Sequence, residues 1–190
     1  MNKMNIKILL KIHVFLILAL SCSETNDDQI EPVVYSDSID FYDENNMSDD
    51  FVFVVENSST NSYLINKQGF KLWEWNFDIN SGNDLEILPN GDLVGIFKST
   101  DPLIDFGGWG GIAKILDKNN NTLWEYEISD ENTISHHDVE MLPNGNILIM
   151  IWERITNEVA VGNAVDVETD IFTEKIVEIN PSNDEIIWEW

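Results

Sequence analysis

Two adjacent histidines, His136 and His137, are the residues of this 190-residue chain best suited to chemistry. An imidazole can donate, accept or carry a proton near neutral pH, and can bind an anion or a metal. Three uses stay open for the pair: anion binding or acid–base work, metal ligation, and a polar role in a core. Neighbours along one strand are poorly placed to chelate a single ion, and the chain has no CxxC or HExxH spacing. No metal is therefore expected. Arg154 is the only arginine and reads as solvent-facing. A weaker calcium reading rests on the loop from Asp117 to Asn121.

Composition limits the partners. The formal net charge is -25, which excludes the basic footprint that nucleic acid requires. Hydrophobic content of 43% is enough for a folded core rather than a disordered chain. The acidity suits a well-solvated exported domain.

The first residues read as a targeting signal. Lys3, Lys7 and Lys11 precede the apolar run from Ile12 to Leu20, which is too short for a comfortable membrane-spanning helix. Cys22, the only cysteine, follows at once in Ala19-Leu20-Ser21-Cys22. That run resembles a bacterial lipobox, with Ala19 where leucine is usual. Residues 1–21 are expected to be a lipoprotein signal peptide and Cys22 the lipidated residue. The expected location is the outer membrane, on its periplasmic or cell-surface side. A lone cysteine cannot form an internal disulfide. Residues 22–50 are polar and acidic and read as a flexible tether.

The element that must position the histidines is a repeat of short strands. β-Branched and aromatic runs broken by Asn, Gly and Asp fill residues 51–190. Trp73-Glu74-Trp75 leads to Leu88-Pro89-Asn90-Gly91, and Trp124-Glu125-Tyr126 leads to Leu142-Pro143-Asn144-Gly145. A third copy starts at Lys175 and reaches Trp188-Glu189-Trp190. The two Trp motifs are 51 residues apart and the two Pro-Asn-Gly turns 54 apart. Such a period marks the blades of a β-propeller. Each Asn-Gly is expected to supply the positive φ of a tight hairpin. The aromatics of the Trp strands share one face and should pack between blades. Blades bury their faces only against neighbours. Two blades and part of a third are expected to leave an apolar flank and an open centre. The expected fold is therefore all-β, an incomplete propeller of about two and a half blades.

Aligned on Leu88 and Leu142, the copies share Asp84 with Asp138, so those acids read as architecture. Gly82 and Asn83 of the first copy are replaced by His136 and His137. Folding alone does not demand this departure, which makes the pair the functional lead. The pair should enter an inner strand lining the propeller channel. Successive strand residues face opposite ways, so only one ring is expected to face it.

Residues 60–190 resemble the arylsulfotransferase (ASST) family. The resemblance is carried by Gly107-Gly108-Trp109-Gly110-Gly111, by His136-His137-Asp138 with Leu142-Pro143-Asn144-Gly145-Asn146, and by Lys175 to Pro181. It implies a six-bladed propeller that moves a sulfuryl group from an aryl sulfate donor to a phenol acceptor. The group rides on a histidine nucleophile, without a nucleotide donor or other cofactor. It implies that His136 and His137 bind substrate sulfate. The nucleophile and the family's arginine are expected beyond residue 190, so no catalytic residue is expected within the chain and this piece should be inactive. The alternative is a non-catalytic cell-surface propeller lipoprotein that binds a ligand or a protein.

Overall fold

Short alternating runs separated by turn residues form eleven strands among the described residues. The computed structural model describes residues 33–37, 39–163 and 165–190, so the expected signal peptide and Cys22 lie outside the described residues. The strands make three antiparallel sheets, each a simple meander. Sheet 1 holds β1 (Val52–Val55), β2 (Asn61–Ile65) and β3 (Lys71–Asn76). Sheet 2 holds β4 (Ser81–Ile87), β5 (Leu93–Lys98), β6 (Gly111–Leu116) and β7 (Thr122–Glu127). Sheet 3 holds β8 (Thr133–Met141), β9 (Ile147–Ile155), β10 (Ile171–Asn180) and β11 (Glu185–Glu189). One short helix, α1 (Asn157–Gly162), interrupts the β9–β10 connection, capped by the Thr156 side chain.

The sheets begin and end at different points from the sequence repeat. Each four-stranded sheet opens on the strand before the Pro-Asn-Gly turn and closes on the Trp strand. The first sequence copy therefore straddles sheets 1 and 2.

The two Pro-Asn-Gly hairpins are alike and differ in detail from expectation. Gly91 and Gly145 have φ of 87° and 85°, whereas Asn90 and Asn144 keep negative φ. The asparagines instead use Oδ1 to accept the N–H of Asp92 and of Asn146. Glycine alone supplies the left-handed residue, because its missing Cβ removes the steric cost there.

Sheet 2 is covered on both sides. Leu93 and Phe97 meet Trp75 and Phe77 of the sheet 1 side, while Val94 and Ile96 meet Val139, Ile147, Ile149 and Ile151 of sheet 3. Neighbouring positions on β5 thus serve two cores, as the period of a strand requires. Each fully buried Ile or Leu contributes about 1.5–3 kcal/mol. Trp124 and Tyr126 of β7 pack on the core with sheet 3, and Trp124 Nε1 donates to Asp184 Oδ1 at 2.8 Å. Trp75 is buried, as expected of inter-sheet packing, whereas Trp73 on the same strand is 47% exposed. Trp188 and Trp190 are 47% and 74% exposed, so the packing reading does not extend to them among the described residues.

Part of the segment expected as a tether lies against sheet 1. Ser36 N–H donates to Gln68 O at 2.8 Å, Ile39 sits beside Gly69, and Asp49 pairs with Lys67.

Candidate functional site

β8 is the edge strand of sheet 3, and β4 holds the same place in sheet 2. Both strands carry a bulge at the same point: pairing skips from Ser81 to Leu85 in one and from Ser135 to Val139 in the other. His136 and His137 sit inside the second bulge, where His137 takes a left-handed φ of 51°. That conformation is rare for a residue with a Cβ and it cancels the alternation of side chains. Two neighbouring rings that a regular strand would send apart therefore converge. Nδ1 of His136 lies 2.8 Å from Nδ1 of His137, and the ring planes stand at 89°. The ring nitrogens meet because strand periodicity, which would send neighbouring side chains to opposite faces, holds only in an unbroken ladder.

The two rings live in different surroundings. His136 is 1% exposed and His137 is exposed. The His136 ring stacks on Trp152 of β9 at 4.1 Å and 16°. Phe106 stacks on Trp152 at 4.2 Å, and Phe172 abuts Phe106 edge-on. Nε2 of His136 lies 2.9 Å from Oε2 of Glu174 on β10. The oxygen approaches off the axis of the ring N–H, so the contact is an electrostatic approach rather than an aligned hydrogen bond. Glu174 also accepts the indole N–H of Trp152 at 3.1 Å. Burial pulls the His136 imidazole below the ordinary histidine range; Glu174 opposes this and His137 adds to it.

The glycine-rich loop between β5 and β6 holds the bulge open. Gly110 N–H donates to Ser135 O at 2.9 Å, and His137 N–H donates to Gly108 O at 3.1 Å. A Cβ on Gly108 would lie 2.2 Å from Nε2 of His137, and Gly108 itself has φ of 74°. A Cβ on Gly110 would lie 2.0 Å from Ile96. Glycine is required at both positions because backbone and ring, or backbone and core, come into direct contact. Trp109, between them, makes a bridge with His136 and holds the Lys98 ammonium over its ring at 4.5 Å.

The sequence model of the arylsulfotransferase (ASST) family matches residues 40–190. No curated protein and no solved structure matches the chain. The chain belongs to the arylsulfotransferase family.

Within this ASST chain the remaining sequence leads resolve simply. Arg154 is exposed, as read from the sequence, and its guanidinium engages Asp170 through Nε at 2.7 Å and a terminal nitrogen at 2.5 Å. Asp84 Oδ2 accepts the Val139 N–H at 3.1 Å, tying sheet 2 to sheet 3, which is an architectural use. Burial and the neighbouring Asp138 raise the Asp84 carboxyl above its usual range. Asp117 turns inward on its own loop, accepting N–H groups of Asn119 and Asn121 at 2.8 Å. Among the described residues no cluster of three His, Cys, Asp or Glu could hold a metal ion. Three residues around the histidine pair that the sequence did not single out are Trp152, Glu174 and Gly108. Trp152 and Glu174 pair with each other across β9 and β10, so the strand register is the signal that finds them.

Proposed function

We propose that this chain is part of an aryl-sulfate sulfotransferase in which His137, backed by the buried His136, holds a sulfuryl oxygen of the substrate. The single observation that supports this is the convergence of two imidazoles at one bulge, 2.8 Å apart, in a chain of the ASST family. The exposed His137 ring, backed by a buried one, becomes a donor to an anion when its Nε2 takes up a proton, and a preorganised donor of this kind contributes about 3 kcal/mol to a charged transition state. In the proposed reaction the S–O bond of a phenolic sulfate breaks and an S–N bond to a carrier histidine forms. The displaced phenolate takes up a proton. A second phenol then attacks sulfur and frees the histidine. The carrier is neither His136 nor His137 in this reading, and it belongs to a segment outside residues 1–190. The proposal includes a propeller completed by further sheets. Its support is the exposure of Trp188 and Trp190, whose sheet 2 counterparts Trp124 and Tyr126 are packed on a neighbouring sheet. It also includes a lipid anchor on Cys22.

The test uses 4-nitrophenyl sulfate. Residues 1–190 should bind it with saturable tryptophan quenching, lose that binding in His137→Ala, and release no 4-nitrophenol. The longer gene product, given a phenol acceptor, should release 4-nitrophenol. Absence of transfer by the longer product, with binding unchanged in His137→Ala, supports the ligand-binding lipoprotein instead.

A further inference from the structure

We propose that Glu174 is a positioning residue that sets the tautomers of both histidines and leaves the Nε2 lone pair of His137 as the proton acceptor of the site. Glu174 is 54% exposed and already accepts a hydrogen bond from the Trp152 indole. Its second oxygen stands 2.9 Å from Nε2 of His136. A nitrogen lone pair at that distance from a carboxylate is repelled, while an N–H is attracted even when it is not in line. Nε2 of His136 therefore carries the proton. In the neutral ring Nδ1 is then an acceptor. The Nδ1···Nδ1 approach of 2.8 Å needs one hydrogen between the two atoms, so His137 supplies it from its own Nδ1. Nε2 of neutral His137 is left with its lone pair, and among the described residues that atom has no hydrogen-bond partner.

The charges around the pair are few. Glu174 faces it from β10, Asp138 follows His137 on β8, and Lys98 of β5 stands behind the Trp109 ring. Trp152 closes the β9 side with an uncharged surface.

The phenol part of this inference rests on the sulfuryl-transfer reading; the tautomers do not. In that reaction the acceptor's O–H proton moves to Nε2 of His137, and its electron pair stays on oxygen to attack sulfur. The imidazolium so formed keeps its Nδ1–H on the His136 lone pair, and Glu174 balances its charge. His136 stays neutral throughout, as its burial favours.

The test needs no substrate. The chain contains three histidines, so histidine-selective 15N labelling at pH 8 gives a simple spectrum, and His13→Gln removes the third ring. Couplings from the ring nitrogens to the ring protons identify the protonated nitrogen of each. His136 should be protonated on Nε2 and His137 on Nδ1. Glu174→Gln has the same shape but can turn either a donor or an acceptor toward His136, so both rings should become tautomer mixtures. A wild-type spectrum with His136 protonated on Nδ1 would overturn the proposal, and so would tautomers unchanged in Glu174→Gln. Failure to transfer sulfuryl groups would sink the functional reading and leave this measurement standing.

Discussion

Sheets 2 and 3 solve one folding problem with the same parts and then diverge at four neighbouring positions. Each has an edge strand with a bulge, a fully buried serine before it (Ser81 or Ser135), a buried apolar residue after it (Leu85 or Val139), and a Pro-Asn-Gly hairpin. At the four divergent positions sheet 2 has Gly82, Asn83, Lys98 and Gly111, and sheet 3 has His136, His137, Trp152 and Glu174. The first set leaves no room for rings. A Cβ on Gly82 would lie 2.9 Å from Ile96, and the Asn83 amide lies against the loop at Gly108. The second set fills its space with two stacked pairs and a carboxylate. The bulge is thus a property of the repeat, and the histidine cluster is a property of one copy.

The largest expected effect comes from erasing that difference. Replacing His136 by glycine and His137 by asparagine gives sheet 3 the sheet 2 residues. Removing a buried, stacked ring should cost about 3 kcal/mol of stability and abolish aryl sulfate binding, both measurable by denaturant unfolding and tryptophan fluorescence. Retained binding would break the comparison, because the bulge alone would then suffice.

A smaller effect separates ring contact from backbone conformation. Gly108→Ala forces a Cβ into the His137 ring, while Gly145→Ala meets nothing within 4 Å; both have positive φ. Gly145→Ala should cost about 1 kcal/mol for left-handed strain alone. Gly108→Ala should cost about 1–3 kcal/mol more by overpacking and shift the His137 ring resonances. Equal costs in the two variants would show that His137 does not rest on this loop.

The smallest effect concerns what the copies share. The Asp84 carboxyl is raised by burial and by Asp138, so its contribution favours the fold below the ordinary carboxylate range and is lost as pH rises through the raised value. At neutral pH the charged pair works against the fold. Asp84→Asn keeps an acceptor for the Val139 N–H and replaces repulsion with a donor to Asp138. It should raise the midpoint of thermal unfolding by roughly 1–3 °C at pH 7, with the gain vanishing near pH 4. A loss of stability at pH 7 would mean that the charge itself, and not only the acceptor, ties the sheets together.

The strands, their turns and the lead residues were legible in the chain because each rests on local rules. Alternation marks a strand, glycine marks a left-handed turn, and a repeat exposes its own exceptions. Gly82 and Asn83 against His136 and His137 needed only the alignment of two copies. The sheet boundaries were not legible, since a tandem repeat has the same period wherever it is cut, and pairing alone shows that β4 opens a sheet.

The amino-acid order by itself determined an all-β repeat, its family and the histidine pair as its departure. Only the tertiary structure decided that the two rings meet, that Trp152 and Glu174 complete the cluster, and that Arg154 is spent on Asp170. The physical reason is one backbone angle and one register. A left-handed residue inside a bulge redirects side chains that strand periodicity would separate, and cross-strand pairing joins residues about 20 positions apart, at a distance no local rule can read.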